Sequence, residues 1–342
     1  MPNVRRHASR AQPRSAGLGS VSKPAVSAVL LLTLAVGAAL GVSGRSSATP
    51  TSSSTRSMSA TTTPATDFAK VFQVDGHGVF VQCTGSGSPT VVLISGAGVS
   101  SESWDYVGDT TDTAHPPEKS PNAVEPQLAR DTLVCTYDRP GTTGFDDSPS
   151  RSSAVAQPTT AQGDARYLRA ALGVAGVAPP YIFVAHSWGG FIATTYDRLY
   201  RSQVLGMVLI DPGSQYLKTV LRPQVWNTWM RAIATNGSKN PTAEQPDYPA
   251  SVAFLRGLPP AKRVPTVVLT SDKPIDFLGN GSAAKFQPQW VQAQTMLARS
   301  LGGKQITKTK SGHFVQSENP ALVIAQTKAM LTAAKVRNQN RG

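Results

Sequence analysis

The feature that most constrains the fold of this 342-residue chain is the ten-residue segment YIFVAHSWGG, which runs from Tyr181 to Gly190. An uninterrupted apolar run ends abruptly at Ser187, and two glycines follow within three residues. This pattern is typical of a buried strand that turns sharply into a helix and holds the serine hydroxyl clear of the backbone. It resembles G-x-S-x-G, except that Ala185 stands at the first glycine. The segment therefore predicts a chain in which strands and helices alternate.

The chain from residue 70 onward repeats this alternation of strand-like and helical segments. Short β-rich or apolar runs occur at 70–74, 79–83, 90–94, 132–136, 181–185, 206–210, 266–270 and 305–309. Helical stretches lie between them, notably at 161–172, 189–201 and 290–301. Buried strands that alternate with helices predict a mostly parallel sheet that is covered by helices on both faces.

One long segment, residues 212–263, interrupts the alternation between two strands. It contains Trp226, Trp229 and Met230 at helical spacing. We expect a small helical cap, and two interpretations of its aromatic residues remain open. They form a small core of their own, or they belong to a lid whose apolar face lines a pocket, and the two are compatible.

The first 66 residues differ in composition from the remainder. Residues 1–24 are basic, and residues 25–44 carry no charge, as expected of a signal-peptide core or a single membrane anchor. The basic flank predicts export, so the protein would be secreted or anchored to the outer face of the cytoplasmic membrane. Residues 45–66 are rich in Ser and Thr and are expected to form a disordered linker. The folded domain is then residues 67–342.

The charge of the chain excludes some partners. The formal net charge is +13, but seven basic residues and no acidic ones fall in the first 66 positions, so residues 67–342 carry only +6. No basic block interleaved with aromatics follows, so a nucleic-acid partner is not expected. The two cysteines lack metal-site spacing, and nothing indicates a metal or an organic cofactor. Membrane contact is expected only through the N-terminal segment.

A serine at such a turn can act as a nucleophile if a base, an acid and oxyanion donors support it. Among the five histidines, His313 fits the base best. It lies in the glycine-flanked loop Lys310 to Phe314, after the last strand-like run and before a helix that starts near Pro320. His186 adjoins the serine, but its side chain is expected to point away from the nucleophile.

The residues alone give two candidates for the acid that orients the base. Asp211 ends the run 206–210, and Asp272 follows the run 266–270. Both loops are expected at the carboxyl edge of the sheet, where ligands bind in open α/β folds, and both keep the order Ser, acid, His. Either aspartate could instead cap a turn before the proline that follows it.

Two backbone N–H groups are expected to hold the oxyanion. One belongs to Trp188, the residue after the nucleophile. The other should come from the loop Ser95-Gly96-Ala97-Gly98 after the run 90–94, with Ala97 first and Gly96 next. The alternative for this loop is a plain tight turn.

Five segments taken together resemble the α/β-hydrolase fold family. They are VVLISGAG, CTYDRPGTTGFDDS, AHSWGG, MVLIDP and SGHF, and they occur in the family's order over about 270 residues. The resemblance implies a mostly parallel eight-stranded sheet flanked by helices, with a small helical cap. AHSWGG is similar to an alanine variant of the elbow in some bacterial lipases. Thr143 replaces a family glycine, and Ser95 stands where the family commonly has histidine.

The resemblance also selects among the open alternatives. A subset of the family carries its acid directly after the sixth strand, which favours Asp211 and keeps Asp272 as the alternative. The family's strand order places the second strand beside the fourth. That order implies that Cys83 and Cys135 are cross-strand neighbours and form a disulfide; the alternative is two buried free thiols.

The function implied is a serine hydrolase that cleaves an apolar acyl or aryl ester of a small molecule through an acyl-enzyme. A serine at the elbow argues against epoxide hydrolases and haloalkane dehalogenases of this fold, which use aspartate there. An aminopeptidase or a cofactor-free haloperoxidase-like activity remains an alternative. So does a non-catalytic binding protein, which the altered loop at Ser95 favours. The sequence does not predict the oligomeric state.

Overall fold

A computed structural model describes residues 67–261, 263–274 and 283–339. The predictions for residues 1–24, 25–44 and 45–66 fall outside the described residues. Within the part of the chain that is described, no helix is both long enough and apolar enough to cross a membrane.

The described residues contain one eight-stranded sheet with the order β1-β2-β4-β3-β5-β6-β7-β8. Its strands are β1 Phe68–Val74, β2 His77–Thr84, β3 Thr90–Ile94, β4 Val134–Tyr137, β5 Tyr181–His186, β6 Val204–Ile210, β7 Thr266–Leu269 and β8 Lys304–Ile306. Strand β2 is antiparallel to both of its neighbours, and the pairs from β4 to β8 are parallel. The mostly parallel eight-stranded α/β-hydrolase fold is confirmed.

Helices cover both faces of the sheet. They are α1 Val124–Leu128, α2 Ala161–Val174, α3 Trp188–Leu199, α4 Leu217–Val220, α5 Pro223–Lys239, α6 Tyr248–Arg256, α7 Ala283–Leu301, α8 Val315–Glu318 and α9 Pro320–Gln339. The central strands β3 and β5 are wholly buried. Alternate residues of β3 face opposite layers, so Val92 and Ile94 join one apolar cluster while Val91 and Leu93 join the other.

Two element boundaries differ from the sequence prediction by three residues or more. The eighth strand ends at Ile306, not near residue 309, because the carboxylate of Asp272 accepts the main-chain N–H groups of Lys310 and Ser311 and turns the chain into a loop. Helix α7 begins at Ala283, seven residues before the predicted start.

The cap segment contributes α4, α5 and α6. Trp226 and Trp229 of α5 are buried in the main apolar cluster, and Trp229 packs on Tyr248 with ring centroids 4.8 Å apart. Main-chain bonds also tie the cap to the body: Thr159 donates to Gln245 O at 3.0 Å, and Asp247 donates to Thr159 O at 2.8 Å. Burial of these tryptophans in the main cluster and the main-chain bonds to Thr159 therefore anchor the cap to the core.

The cysteines form the predicted disulfide. Cys83 of β2 and Cys135 of β4 lie directly opposite each other in the antiparallel register and are covalently linked. The alternative of two free thiols is wrong. The link joins strands whose cysteines are 52 residues apart in the chain.

We predict that the double variant Cys83→Ala, Cys135→Ala unfolds with a free energy about 2–4 kcal/mol lower than that of the parent protein, because the link removes conformational freedom from the unfolded chain. Urea unfolding followed by circular dichroism measures this difference. Repeating both titrations with a reducing agent is the control, since it should bring the two midpoints together. Equal midpoints without the reducing agent would contradict the prediction.

Candidate active site

Ser187 occupies the sharp turn between β5 and α3. Its φ of 51° and ψ of −114° lie in a region that residues other than glycine rarely adopt. Three main-chain bonds hold it there: Ser187 donates to Ile210 O at 2.9 Å, and its carbonyl accepts from Gly190 and Gly213, both at 3.0 Å. Such a conformation persists only where the surroundings determine it, and it is common at functional sites.

The two glycines after the serine are required by close packing. A side chain on Gly189 would collide with the carbonyl oxygens of Ile94 and Ser95. A Cβ on Gly190 would lie 2.6 Å from Cβ of Pro212. Helix α3 can therefore start directly at Trp188, against the ends of β3 and β6. The first N–H groups of a helix have no acceptor within it, so this end presents donors.

Asp211 and His313 are in contact. Asp211 follows β6, and its Oδ2 lies 2.7 Å from Nδ1 of His313. Its other oxygen, Oδ1, accepts from the Ser271 N–H at 2.9 Å and from Nε2 of Gln294 at 2.7 Å. The carboxylate is fully buried, and its contacts with His313, Ser271 and Gln294 hold it in one orientation.

Asp272, the alternative acid, has different partners. Its oxygens accept the main-chain N–H groups of Lys310 at 3.0 Å and of Ser311 at 2.9 Å. Asp272 thus shapes the loop that carries His313, while Asp211 contacts the imidazole itself.

His186 contacts His313. Burial, and then the neighbouring His313, lower the pKa of His186 well below its usual value, so its ring is neutral. Its Nε2 is 3.0 Å from the carbonyl oxygen of His313 and must be the protonated nitrogen that donates to it. The two rings are 4.5 Å apart between centroids. His186 therefore supports the position of His313.

The loop after β3 lies against the elbow. A Cβ on Gly96 would sit 2.6 Å from Nδ1 of His186 and 3.2 Å from Cβ of Ser187, so only glycine fits without a shift. Ser95, which replaces the family's usual histidine, accepts from Trp104 Nε1 at 3.0 Å and donates to Ser100 O at 3.1 Å. Ala97 is exposed at the tip of this loop.

Four buried polar residues near these groups are not indicated as site residues by any sequence pattern described above: Gln294, Arg139, Glu244 and Asp164. Arg139 stands in the motif CTYDRPGTTGFDDS, and membership of that motif is the one sequence signal for it. Gln294 and Asp164 are ordinary polar residues of helices, and Glu244 lies in the cap. Nothing in the local sequence distinguishes these three from solvent-facing residues.

Asp164 contacts the elbow through a hydrogen bond with Trp188. Its Oδ2 accepts from the indole Nε1 of Trp188 at 3.0 Å. Burial, and then the charge of Glu244, raise the pKa of Asp164 to about 7, while Arg139 opposes the rise.

A serine at a strand–helix elbow and an Asp-His pair at the same edge of a mostly parallel sheet place the molecule among α/β-hydrolase folds. The model of the alpha/beta hydrolase family matches residues 91–326, well over half of the chain. The chain therefore belongs to the alpha/beta hydrolase family.

Individual relatives are more distant. An uncharacterised Schizosaccharomyces pombe protein is 33% identical over 147 residues, which are 40% of this chain and 26% of that protein. The uncharacterised Bacillus subtilis protein YqjL is 29% identical over 145 residues, 42% and 48% of the two chains. The chain thus spans less than half the length of each. The structure of a candidate lipase from Acinetobacter baumannii matches with a TM-score of 0.52 at 19% identity, covering 79% of this chain and 93% of that one, which shows a shared fold.

We predict that Asp164 makes the protein less stable as pH rises. Because its folded pKa of about 7 exceeds the usual 3.8, the native state holds a proton between these values that the unfolded state has lost. Stability from this group is therefore complete below pH 3.8 and is lost as pH rises through 7. Asp164→Asn lacks this dependence.

The measurement is urea unfolding of both proteins at pH 5 and pH 8. The unfolding free energy of Asp164→Asn minus that of the parent should be higher at pH 8 than at pH 5, by an amount on the order of 2 kcal/mol. A difference that stays constant with pH would contradict the prediction.

Proposed function

We propose that this protein is a serine hydrolase of carboxylic esters, in which Ser187 is the nucleophile, His313 the general base and Asp211 the acid that orients the base. The observation that carries the proposal is the 2.7 Å contact between Asp211 Oδ2 and His313 Nδ1, at the sheet edge where the elbow presents Ser187. A carboxylate on Nδ1 selects the tautomer whose Nε2 has the lone pair, which is the form that a general base needs.

The reaction would proceed in two halves. Nε2 of His313 takes the Ser187 proton while Oγ bonds to the ester carbon, and the resulting tetrahedral intermediate expels the alcohol, which takes that proton from the imidazolium. Water then attacks the acyl-serine with His313 again as base. The ester bond to Ser187 breaks, the acid leaves, and the proton returns to Oγ.

The negative charge on the substrate oxygen needs donors that are already in place. We assign them to the main-chain N–H groups of Trp188 and Ala97. Trp188 begins α3, where the first N–H groups have no acceptor within the helix. The contact of Gly96 with the elbow supports the second assignment, since it brings the loop of Ala97 beside Ser187.

Aromatic side chains around His313 favour an apolar acyl or aryl substrate. The ring of Trp290 lies 5.9 Å from that of His313, and the ring of Phe314 lies 5.6 Å from it. Phe145 packs on Phe314 at 5.6 Å. Aromatic rings this close to the base suit an apolar group beside the ester more than a charged one.

The first test is covalent labelling by a fluorophosphonate probe, which reacts with activated serines. The purified protein should be labelled. Labelling should disappear in Ser187→Ala, because that variant lacks the hydroxyl that reacts with the probe. Hydrolysis of p-nitrophenyl esters should disappear in parallel. Intact protein that does not label would overturn the serine-hydrolase proposal in favour of a binding role. An amide substrate cleaved faster than any ester in a matched panel would favour the aminopeptidase alternative.

The two acids give a matched pair of variants. Asp211→Asn should lower kcat for a p-nitrophenyl ester by about 10³- to 10⁴-fold, because the imidazole loses the partner that sets its tautomer. Asp272→Asn should lower kcat less than about 10-fold, since this carboxylate only shapes the loop. Steady-state kinetics on both folded variants measures the effects. A crippling effect of Asp272→Asn alone would show that the acid is misassigned.

A further inference from the structure

An ion pair between Arg139 and Glu244 is buried beside the proposed oxyanion loop. Nε of Arg139 lies 2.5 Å from Oε1 of Glu244, and Nη2 lies 3.1 Å from Oε2. Both side chains are almost completely inaccessible, with 2% and 1% exposed. Burying two charges costs several kcal/mol per ion unless further hydrogen bonds satisfy them, so the remaining partners of the pair matter.

Three of those partners belong to the loop after β3. Arg139 Nη1 donates to Ser95 O at 2.9 Å, and Nη2 donates to Gly96 O at 2.5 Å. On the other side of Ala97, Oε2 of Glu244 accepts the Gly98 N–H at 2.6 Å. The pair thus holds the main chain immediately before and immediately after Ala97.

The contact with Gly96 has a direct geometric consequence. The carbonyl of Gly96 and the N–H of Ala97 belong to the same planar peptide group, which is not among the cis bonds of the described residues. In a trans peptide the C=O and N–H point in opposite directions. A guanidinium that fixes the carbonyl therefore also fixes the direction of the Ala97 N–H. A charged donor on the carbonyl also polarises the peptide and strengthens its N–H as a donor.

Glu244 reaches this loop from the cap. The segment that carries it docks closely on the body, because the Glu244 N–H donates to Gly141 O at 3.0 Å. Gly141 has a φ of 78°, and a side chain on it would collide with the carbonyl of Thr242. Next to it, the Gln245 N–H donates to Oε1 of Gln157 at 2.9 Å. This part of the cap is therefore a fixed component of the site.

We propose that Arg139 and Glu244 are positioning residues, which couple the docked cap to the oxyanion loop and aim the Ala97 N–H at the substrate oxygen. The inference rests on the proposed function. It also explains how a loop with Ser95 in place of the family's histidine keeps its shape.

A pair that only stabilised the fold would lower stability without a specific effect on turnover. Oxyanion donors act mainly in the transition state, so their misplacement lowers kcat more than it raises KM. The split between kcat and KM therefore separates positioning from a purely structural role.

The main variant is Glu244→Gln, which keeps the shape of the side chain but removes its charge. Its kcat for p-nitrophenyl butyrate should fall about 10- to 100-fold, with KM changed less than about 3-fold. The rate of fluorophosphonate labelling should fall by a similar factor. Arg139→Lys, which cannot reach both carbonyls and Glu244 together, should show the same pattern.

Asp197→Asn provides the matched control. Asp197 is also a buried carboxylate, 1% exposed, with Nε of Arg201 3.6 Å from its Oδ1, but it lies near the far end of α3. Its replacement should leave kcat within about 2-fold of the parent even if the melting temperature falls.

The outcomes separate the two proposals. If the parent protein neither labels at Ser187 nor hydrolyses esters, the proposed function fails. If the parent is active and folded Glu244→Gln and Arg139→Lys keep their kcat, the positioning role alone is overturned. Should neither variant fold while Asp197→Asn does, the pair is a folding requirement and the positioning role is likewise rejected.

Discussion

The parallel pairing of β5 with β3 and β6 is the constraint on which the rest of the site depends. Ile94 pairs with Ala185, and His186 pairs with Ile210, so three strands end at nearly the same level. The Ser187 N–H then donates to Ile210 O and extends the pairing by one residue into the turn. The elbow, the loop of Ala97 and Asp211 consequently leave the sheet at one edge, where they can act together.

The charged side chains of Asp211, Arg139 and Glu244 are buried around this edge, and each has polar partners. Asp211 has three, from His313, Ser271 and Gln294. Arg139 and Glu244 satisfy each other and the loop after β3. Because an unpaired buried charge costs far more than a paired one, such networks hold a single geometry firmly. Preorganised donors and acceptors of this kind are what acyl transfer requires.

Much of the fold could be predicted from the residues because its signals are local. The wholly buried strands β3 and β5 are continuous apolar runs, and the elbow has its glycines where close packing requires them. The start of α7 was missed. The end of β8 was also missed, because it depends on the Asp272 carboxylate, which comes from another part of the chain. Gln294 was missed because its partner Asp211 likewise lies far from it in the chain.

The sequence by itself determined the alternation of buried strands and helices and the turn at Ser187, because periodicity and glycine placement act over a few residues. The family resemblance added the strand order, and with it the disulfide of Cys83 with Cys135. Only the tertiary structure decided which aspartate contacts His313 and brought Glu244 to Arg139. These partners are 102 and 105 residues apart in the chain, and no local pattern records which side chains meet across such distances.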